Sequence, residues 1–168
     1  MELPRQIIVG EKNIDGVGNF LRALKKTKKV SLISGSNVKK IVQKKIEMSL
    51  VASKIKSSWY LAKTNDHKTI QDLEKKVRQS KSELVIGIGG GRSVDIAKLI
   101  GFNLNKPFVS IPTSASHDGI ASPFVSVKGD KPHSLVATAP LGVFVDVDLS
   151  LIHISEPTRP LYISYAVF

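Results

Sequence analysis

The segment Glu83–Lys98 constrains the fold of this chain more than any other. Its apolar run Leu84–Ile88 predicts a short strand buried on both faces. The three consecutive glycines Gly89–Gly91 allow a sharp turn and leave no Cβ between the main chain and a ligand. Ser93 is expected to cap the helix that follows. Strand, bare turn and helix N-terminus together predict an anion site, for which a diphosphate is the natural occupant.

This glycine pattern does not by itself name the ligand. The dinucleotide fingerprint G-x-G-x-x-G fails, because after Gly87 and Gly89 its third position is Arg92. The P-loop pattern also fails, since no Gly-Lys-Ser/Thr closes the turn. A glycine-rich turn without a ligand therefore stays open as the alternative.

Strand and helix patterns alternate along the rest of the chain, which predicts an α/β fold: a Rossmann-like parallel sheet with helical crossovers plus a short β extension. Thr69 and Asp72 are expected to form the N-terminal box of the third helix. A turn at Gly129-Asp130 is expected between two late strands. Strands are predicted at 6–9, 30–33, 57–61, 84–88, 107–111, 124–127, 134–137 and 143–145, and helices at 18–26, 38–50 and 69–80.

The segment 112–123 lacks helix or strand periodicity and is rich in small polar residues. It follows the fifth strand, where open α/β sheets bind ligands. Its hydroxyls can bond a nucleotide or polyol, although turn contacts to the local backbone stay open for each. Asp118 can accept bonds from substrate hydroxyls. His117 has no second histidine or carboxylate at a persuasive spacing, so this chain is not expected to build a metal site on its own.

The net charge of +11 is unevenly distributed. Residues 1–81 hold 19 Lys and Arg against 7 Asp and Glu. The lysines fall mainly on helical segments without interleaved aromatic residues, so nucleic-acid binding is not expected. A positive field that attracts anionic substrates or cofactors is the milder interpretation.

Cysteine is absent, which excludes disulfides and thiolate metal sites. No run of about 18 apolar residues is present, so no membrane span is expected. Both features are typical of a cytoplasmic protein.

Two motifs together resemble one family. Residues 87–98 read Gly-Ile-Gly-Gly-Gly-Arg-Ser-Val-Asp-Ile-Ala-Lys, and residues 110–123 read Ser-Ile-Pro-Thr-Ser-Ala-Ser-His-Asp-Gly-Ile-Ala-Ser-Pro. At this separation they resemble archaeal sn-glycerol-1-phosphate dehydrogenase, within the superfamily of iron-type alcohol dehydrogenases, and the likeness runs from about residue 3 to Leu151. The resemblance implies reduction of dihydroxyacetone phosphate with NADH or NADPH, for archaeal membrane lipids, with zinc polarising the carbonyl.

The resemblance also implies roles for individual residues. Asp118 matches the position that touches the substrate. The residues implied to contact the cofactor are Gly91, Arg92, Ser93, Val94, Asp95, Thr113, Ser114, Ala115, Ser116 and Ser122.

The same resemblance divides the chain into an NAD(P)-binding domain, 1–151, and a tail, 152–168, that does not match the family and is expected to be non-native. Family members continue into a helical domain that carries an aspartate and two histidines as metal ligands. This chain is therefore expected to bind NAD(P) weakly and to catalyse nothing by itself.

Several alternatives stay open. A glycerol dehydrogenase-like enzyme, a dehydroquinate-synthase-like enzyme and a non-catalytic nucleotide-binding module are the other functions to consider, and a homo-oligomer is also open. The choice between NADH and NADPH is expected to depend on Ser34–Ser36, where no acidic residue is available for a ribose 2′-hydroxyl.

Overall fold

The computed structural model of the chain describes residues 4–114, 122–127 and 133–152. The helices are α1 Val17–Leu24, α2 Ser36–Ala52, α3 His67–Gln79, α4 Gly91–Asn103 and α5 Val147–Ile152, with a short 3₁₀ turn at Ile14–Gly16. The strands are β1 Gln6–Gly10, β2 Lys29–Ser34, β3 Lys56–Leu61, β4 Leu84–Gly89, β5 Phe108–Pro112, β6 Phe124–Val127, β7 His133–Val136 and β8 Gly142–Asp146.

Six strands form one parallel sheet in the order β1-β8-β5-β4-β2-β3. Strands β6 and β7 form a separate antiparallel hairpin. Every residue of β4 is buried, as expected for a central strand that is covered on both faces. No helix in the described ranges is long and apolar enough to cross a bilayer.

Two helical layers cover the sheet. Helices α1 and α2 pack on one face, where Val42 and Ile46 meet Leu32 and Ile86 of the central strands. Helices α3 and α4 pack on the opposite face with Ile33 and other residues of a second apolar cluster. The crossovers therefore bury an apolar stripe on each side of β2 and β4.

The predicted fold is confirmed, with two differences in detail. The strand predicted at 143–145 belongs to the main sheet, where β8 lies between β1 and β5. Among the described residues, the β extension consists of the β6–β7 hairpin. Helix α5 was not predicted, because its six residues are too few to show a helical period. The expected Gly129-Asp130 turn lies outside the described residues.

The predicted N-terminal box at Thr69 and Asp72 is wrong. Helix α3 begins at His67, and its cap is Asp66, whose Oδ1 accepts the Thr69 amide at 2.9 Å. The cap lies three residues before the predicted one, because the Asp66 side chain also supplies an acceptor for an amide of the first helical turn. Hydrogen bonds from the Thr64 hydroxyl and the Thr69 amide lower the pKa of Asp66 from 3.8 to about 2.

Gly87 sets the distance between β4 and α4. A Cβ at this position would lie 2.8 Å from Ala97 Cβ and 3.0 Å from Val94 Cα. Only glycine lets the helix approach the strand this closely, and the contact directs the N-terminus of α4 toward the edge of the sheet where β4 ends.

Replacing the α3 cap will lower stability in a pH-dependent way. Asp66→Ala should lower Tm by about 2–6 °C at neutral pH, because the Thr69 amide loses its acceptor. Asp66→Asn keeps an acceptor but does not titrate. The folded-state pKa of Asp66 lies below its unfolded value, so the stabilisation by its charge is present above pH 3.8 and is lost as the pH falls toward about 2. Thermal melts from pH 6 to pH 2 check this: the Tm of the wild type should fall relative to that of Asp66→Asn, and parallel curves would contradict it.

Filling the space at Gly87 should destabilise the fold. Gly87→Ala is expected to lower Tm by roughly 3–10 °C, because the new methyl group overlaps Ala97 and the backbone of α4. Gly16→Ala is the matched control, since its methyl group would meet only Phe144 Cζ, at 3.8 Å. Equal Tm values for the two variants, measured by calorimetry, would show that the close approach of α4 does not depend on Gly87.

Candidate functional site

The glycine turn between β4 and α4 forms the centre of the candidate site. Gly89 has φ +133°, a conformation that L side chains rarely adopt. Gly90 is the extended residue that precedes α4, and a Cβ built on it would meet no atom of the described residues within 4 Å. The main chain therefore faces open space at this position, as a close-binding ligand requires.

The prediction that Ser93 caps α4 is wrong. The helix begins two residues earlier, at Gly91, and the residue in the cap position is Gly90. Ser93 is the third helical residue, it is buried, and its amide donates to Gly90 O at 3.1 Å. Gly90, in its extended conformation, takes the cap position, and since glycine has no side chain the helix starts without a side-chain cap.

Two amides at the start of α4 have no acceptor among the described residues: those of Gly91 and Arg92. They lie at the positive end of the helix dipole. Free amides, helix dipole and open space beside Gly90 are the features by which helix N-termini bind phosphate groups.

The turn lies at a topological switch point of the sheet. Strands β2 and β4 are neighbours, and Ser34 at the end of β2 is paired with Ile88 of β4. The helices after these strands, α2 and α4, pack on opposite faces of the sheet. A crevice opens between such helices at the carboxyl ends of the strands, and open α/β sheets bind ligands there.

A second bare turn lines this crevice. Gly35 precedes α2 without a side-chain cap, and within the part of the chain that the structure describes a Cβ on it would also meet no atom within 4 Å. Trp59 Nε1 donates to Ser34 Oγ at 2.7 Å, and Lys39 Nζ lies 5.8 Å from the Trp59 ring centroid. Sequence reasoning missed Trp59 and Lys39, because their proximity depends on how β3 and α2 pack.

The end of β5 adjoins the glycine turn on its other side. Pro112 is paired with Gly89, and the Thr113 amide donates to Gly89 O at 3.0 Å. Thr113 is buried, and Ser114 is partly exposed. The structure thus brings the start of the predicted segment 112–123 beside the glycine turn.

The remaining predicted residues are more dispersed. Arg92 is exposed, and its Nη1 donates to Lys63 O at 3.2 Å, on the α3 side of the crevice. Val94 is buried in the core. The carboxylate of Asp95 accepts the Ser126 amide at 3.1 Å. Three predicted contacts, Ala115, Ser116 and Asp118, lie outside the described residues, as does His117.

Sequence reasoning also missed the role of Lys98. This side chain is fully buried, and its Nζ donates to the carbonyl oxygens of Ser122 and Phe124 at 2.7 and 2.9 Å. The pKa of Lys98 is lowered by burial, and the nearby carboxylate of Asp95 opposes part of this shift. The available signal was a charged pair, three residues apart, in the otherwise apolar stretch 94–100, since charges in such a stretch need buried partners.

No group of three or more His, Asp or Glu side chains in the described ranges could hold a metal ion. The zinc that the resemblance implies therefore has no ligand set among these residues.

A cavity of about 880 Å³ lies at the opposite edge of the sheet. Its lining includes the end of α4, the start of β5 and the basic residues Arg5, Lys25 and Lys106. The two glycine turns do not line it. The cavity is thus separate from the switch point, and no predicted site residue contributes to it.

Comparison with known proteins agrees with the resemblance seen in the two motifs. The family described as "Iron-containing alcohol dehydrogenase" matches residues 8–152. The glycerol-1-phosphate dehydrogenase (NAD(P)+) of Nitrosopumilus maritimus (strain SCM1) is 63% identical over 149 residues, covering 89% of this chain and 42% of the relative. The enzyme of the same name from Cenarchaeum symbiosum (strain A) is 58% identical over 147 residues, covering 88% and 42%. The resemblance that the two motifs indicated is confirmed.

Solved structures share the fold. The NADH-dependent butanol dehydrogenase A of Thermotoga maritima superposes with a TM-score of 0.82 at 17% identity, over 94% of this chain and 45% of that one. The glycerol dehydrogenase of Schizosaccharomyces pombe gives 0.80 at 22% identity, over 89% and 39%. The chain thus spans less than half the length of these proteins.

The bare turn should bind inorganic pyrophosphate. Pyrophosphate at millimolar concentration is expected to raise the Tm of the wild type, and Gly90→Asp should abolish this shift, because the new carboxylate would occupy the amides and repel the anion. Gly16→Asp is a matched control: Gly16 also precedes a helix without a side-chain cap, a Cβ on it would have room, and the added charge is the same. Equal shifts in both variants would assign the binding to the general positive charge of the protein.

Proposed function

The chain belongs to the iron-containing alcohol dehydrogenase family, and from this membership we propose that it is the NAD(P)-binding part of an enzyme that reduces dihydroxyacetone phosphate to sn-glycerol 1-phosphate. The uncapped glycine turn at the switch point is the observation that carries the cofactor proposal. The choice of substrate rests on the 63% identity to a glycerol-1-phosphate dehydrogenase.

The cofactor diphosphate is proposed to bind at the start of α4. The open space beside Gly90 accommodates it, and the free amides of Gly91 and Arg92 donate to its oxygens. The guanidinium of Arg92 adds a charge on the α3 side of the crevice. When bound, the nicotinamide supplies the hydride.

The adenosine end of the cofactor is proposed to lie at the second bare turn, Ser34–Ser36. Residues 34–39 contain no carboxylate that would select a ribose 2′-hydroxyl and repel a 2′-phosphate. Lys39 adds a positive charge nearby. We therefore propose that both NADH and NADPH bind, as the name of the relatives says of those enzymes.

The substrate is proposed to approach from the end of β5. Thr113 and Ser114 place polar groups beside the glycine turn, and Asp118 is proposed to contact substrate hydroxyls. The net charge of +11 favours the approach of a phosphorylated ketone. Zinc, a homo-oligomer, a cytoplasmic location and the division into 1–151 and 152–168 stay predictions from the resemblance and composition.

The chain should bind reduced cofactor. Titration of the 168-residue protein with NADH is expected to increase nicotinamide fluorescence saturably, and both NADPH and pyrophosphate should compete. Gly90→Asp should weaken NADH binding by at least about tenfold, because charge-assisted bonds to the diphosphate are lost. Gly16→Asp should bind NADH as the wild type does. A folded wild type that gives neither fluorescence change nor heat would contradict the proposal.

The substrate is tested in a chimaera. Residues of this chain replace the 149 aligned residues of the Nitrosopumilus maritimus enzyme. The chimaera should oxidise NADH when dihydroxyacetone phosphate is added, and should be far less active with dihydroxyacetone, which lacks the phosphate. A folded chimaera that prefers the unphosphorylated ketone would favour the glycerol dehydrogenase alternative.

A further inference from the structure

We propose that Asp95 and Lys98 are positioning residues: together they fix the start of the β6–β7 hairpin against α4 and thereby set the affinity of the glycine-turn site for its cofactor. The second half of this inference rests on the proposed NAD(P) binding. The first half rests on contacts of the described residues alone.

The pair binds the hairpin through its main chain. Lys98 Nζ donates to Ser122 O and Phe124 O, and Asp95 Oδ2 accepts the Ser126 amide. The carbonyl between the two acceptors, Pro123 O, instead accepts the Ala137 amide at 2.7 Å, on the side of β7. Because main-chain groups alternate along an extended chain, this part of the hairpin uses one side for β7 and the other for α4.

Removing the charges of Lys98 and Asp95 from water costs free energy, which their pairing and hydrogen bonds must offset. The side chains of Lys98 and Asp95 are 0% and 5% exposed, and Lys98 Nζ lies 3.9 Å from Asp95 Oδ1. Buried charges are stable only when paired and hydrogen-bonded, and an apolar pair of similar volume often stabilises a fold equally well. An apolar pair would hold the hairpin without specifying its register. The charged pair specifies which main-chain groups of residues 122–126 face α4.

This register matters because one helix, α4, both begins at the glycine turn and carries the two side chains that bind the hairpin. The chain leaves the sheet at Thr113, whose amide is bound to Gly89 of the glycine turn. Ser122, just before β6, has its carbonyl bound to Lys98, two turns along the helix that the glycine turn begins. Both ends of the connection are thus attached to the single unit β4–α4. The pair thus fixes the start of the hairpin relative to the helix that begins at the diphosphate site.

The loop between β3 and α3 also holds the hairpin. Asn65 Nδ2 donates to Ser126 O at 3.3 Å, so the main chain of Ser126 is held at its amide by Asp95 and at its carbonyl by Asn65. Arg92, which is proposed to bind the diphosphate, donates to Lys63 O in the same loop. The hairpin, α4 and the loop before α3 therefore form one hydrogen-bonded network.

The test separates positioning from simple loss of stability. Lys98→Met keeps most of the side-chain volume but removes the donor, and Lys98→Arg keeps the charge and the donors. Val77→Ala is the control, because it creates a cavity in the apolar cluster of α3 and α4 and leaves the hydrogen bonds from α4 to the hairpin in place. Each variant is examined by thermal melting, by hydrogen–deuterium exchange and by NADH titration.

In Lys98→Met, exchange of the amides in 122–127 and 133–137 should become at least about tenfold faster, while α3 keeps its protection. The Kd for NADH should rise by about tenfold, which corresponds to the loss of about one hydrogen bond. Lys98→Arg should lie between wild type and Lys98→Met in both measurements. Val77→Ala should lower Tm and leave both measurements unchanged.

Hairpin exchange at the wild-type rate in folded Lys98→Met would overturn the anchoring. Faster exchange with an unchanged Kd for NADH would overturn the effect on the cofactor. If Lys98→Met does not fold, Lys98→Arg decides by the same two measurements. Absence of NADH binding by the wild type would refute the proposed function and the cofactor half of this inference, and the exchange data would still decide the anchoring half.

Discussion

The close packing of α4 on β4 is the contact on which the other features depend. It is allowed by the missing side chain at Gly87, where a Cβ would lie 2.8 Å from Ala97 Cβ. With the helix held this near, its first residues must follow the strand through a very short turn. Gly89 and Gly90 make that turn, one with a positive φ and the other extended. The helix therefore begins at the edge of the sheet with its amides uncapped.

Parallel pairing then assembles the rest of the site. Because β2 and β5 flank β4 in the same direction, their carboxyl ends deliver Gly35 and Thr113 to the two sides of the glycine turn. The crossover helices α2 and α4 lie on opposite faces, which opens the crevice. Further along α4, Asp95 and Lys98 use buried charge to hold the hairpin. One helix thus presents free donors at its start and satisfied ones along its length.

Local patterns predicted most of this architecture. The apolar run Leu84–Ile88 indicated a strand covered on both faces, and the whole of β4 is buried. The alternation of periods indicated a parallel sheet, which the structure has, whereas the anion site that the glycines indicated stays a prediction. These features depend on residues close in sequence, where side-chain spacing and backbone freedom are decisive.

The errors arise where distant contacts decide. Ser93 was a plausible cap, but the extended Gly90, set by the approach of α4 to β4, starts the helix earlier. The insertion of β8 between β1 and β5 depends on pairing across more than a hundred residues. The partners of Lys98 are main-chain atoms of a hairpin about 25 residues away, which no local period reveals.

The central claim is that a cofactor diphosphate binds the uncapped amides at the start of α4. Amide chemical shifts of the ¹⁵N-labelled protein, recorded during titration with NADH, test it most directly. The largest changes are expected at Gly90, Gly91 and Arg92, with smaller ones at Gly35. Saturable changes confined to Gly101 and Phe102, at the cavity on the opposite edge of the sheet, would contradict it.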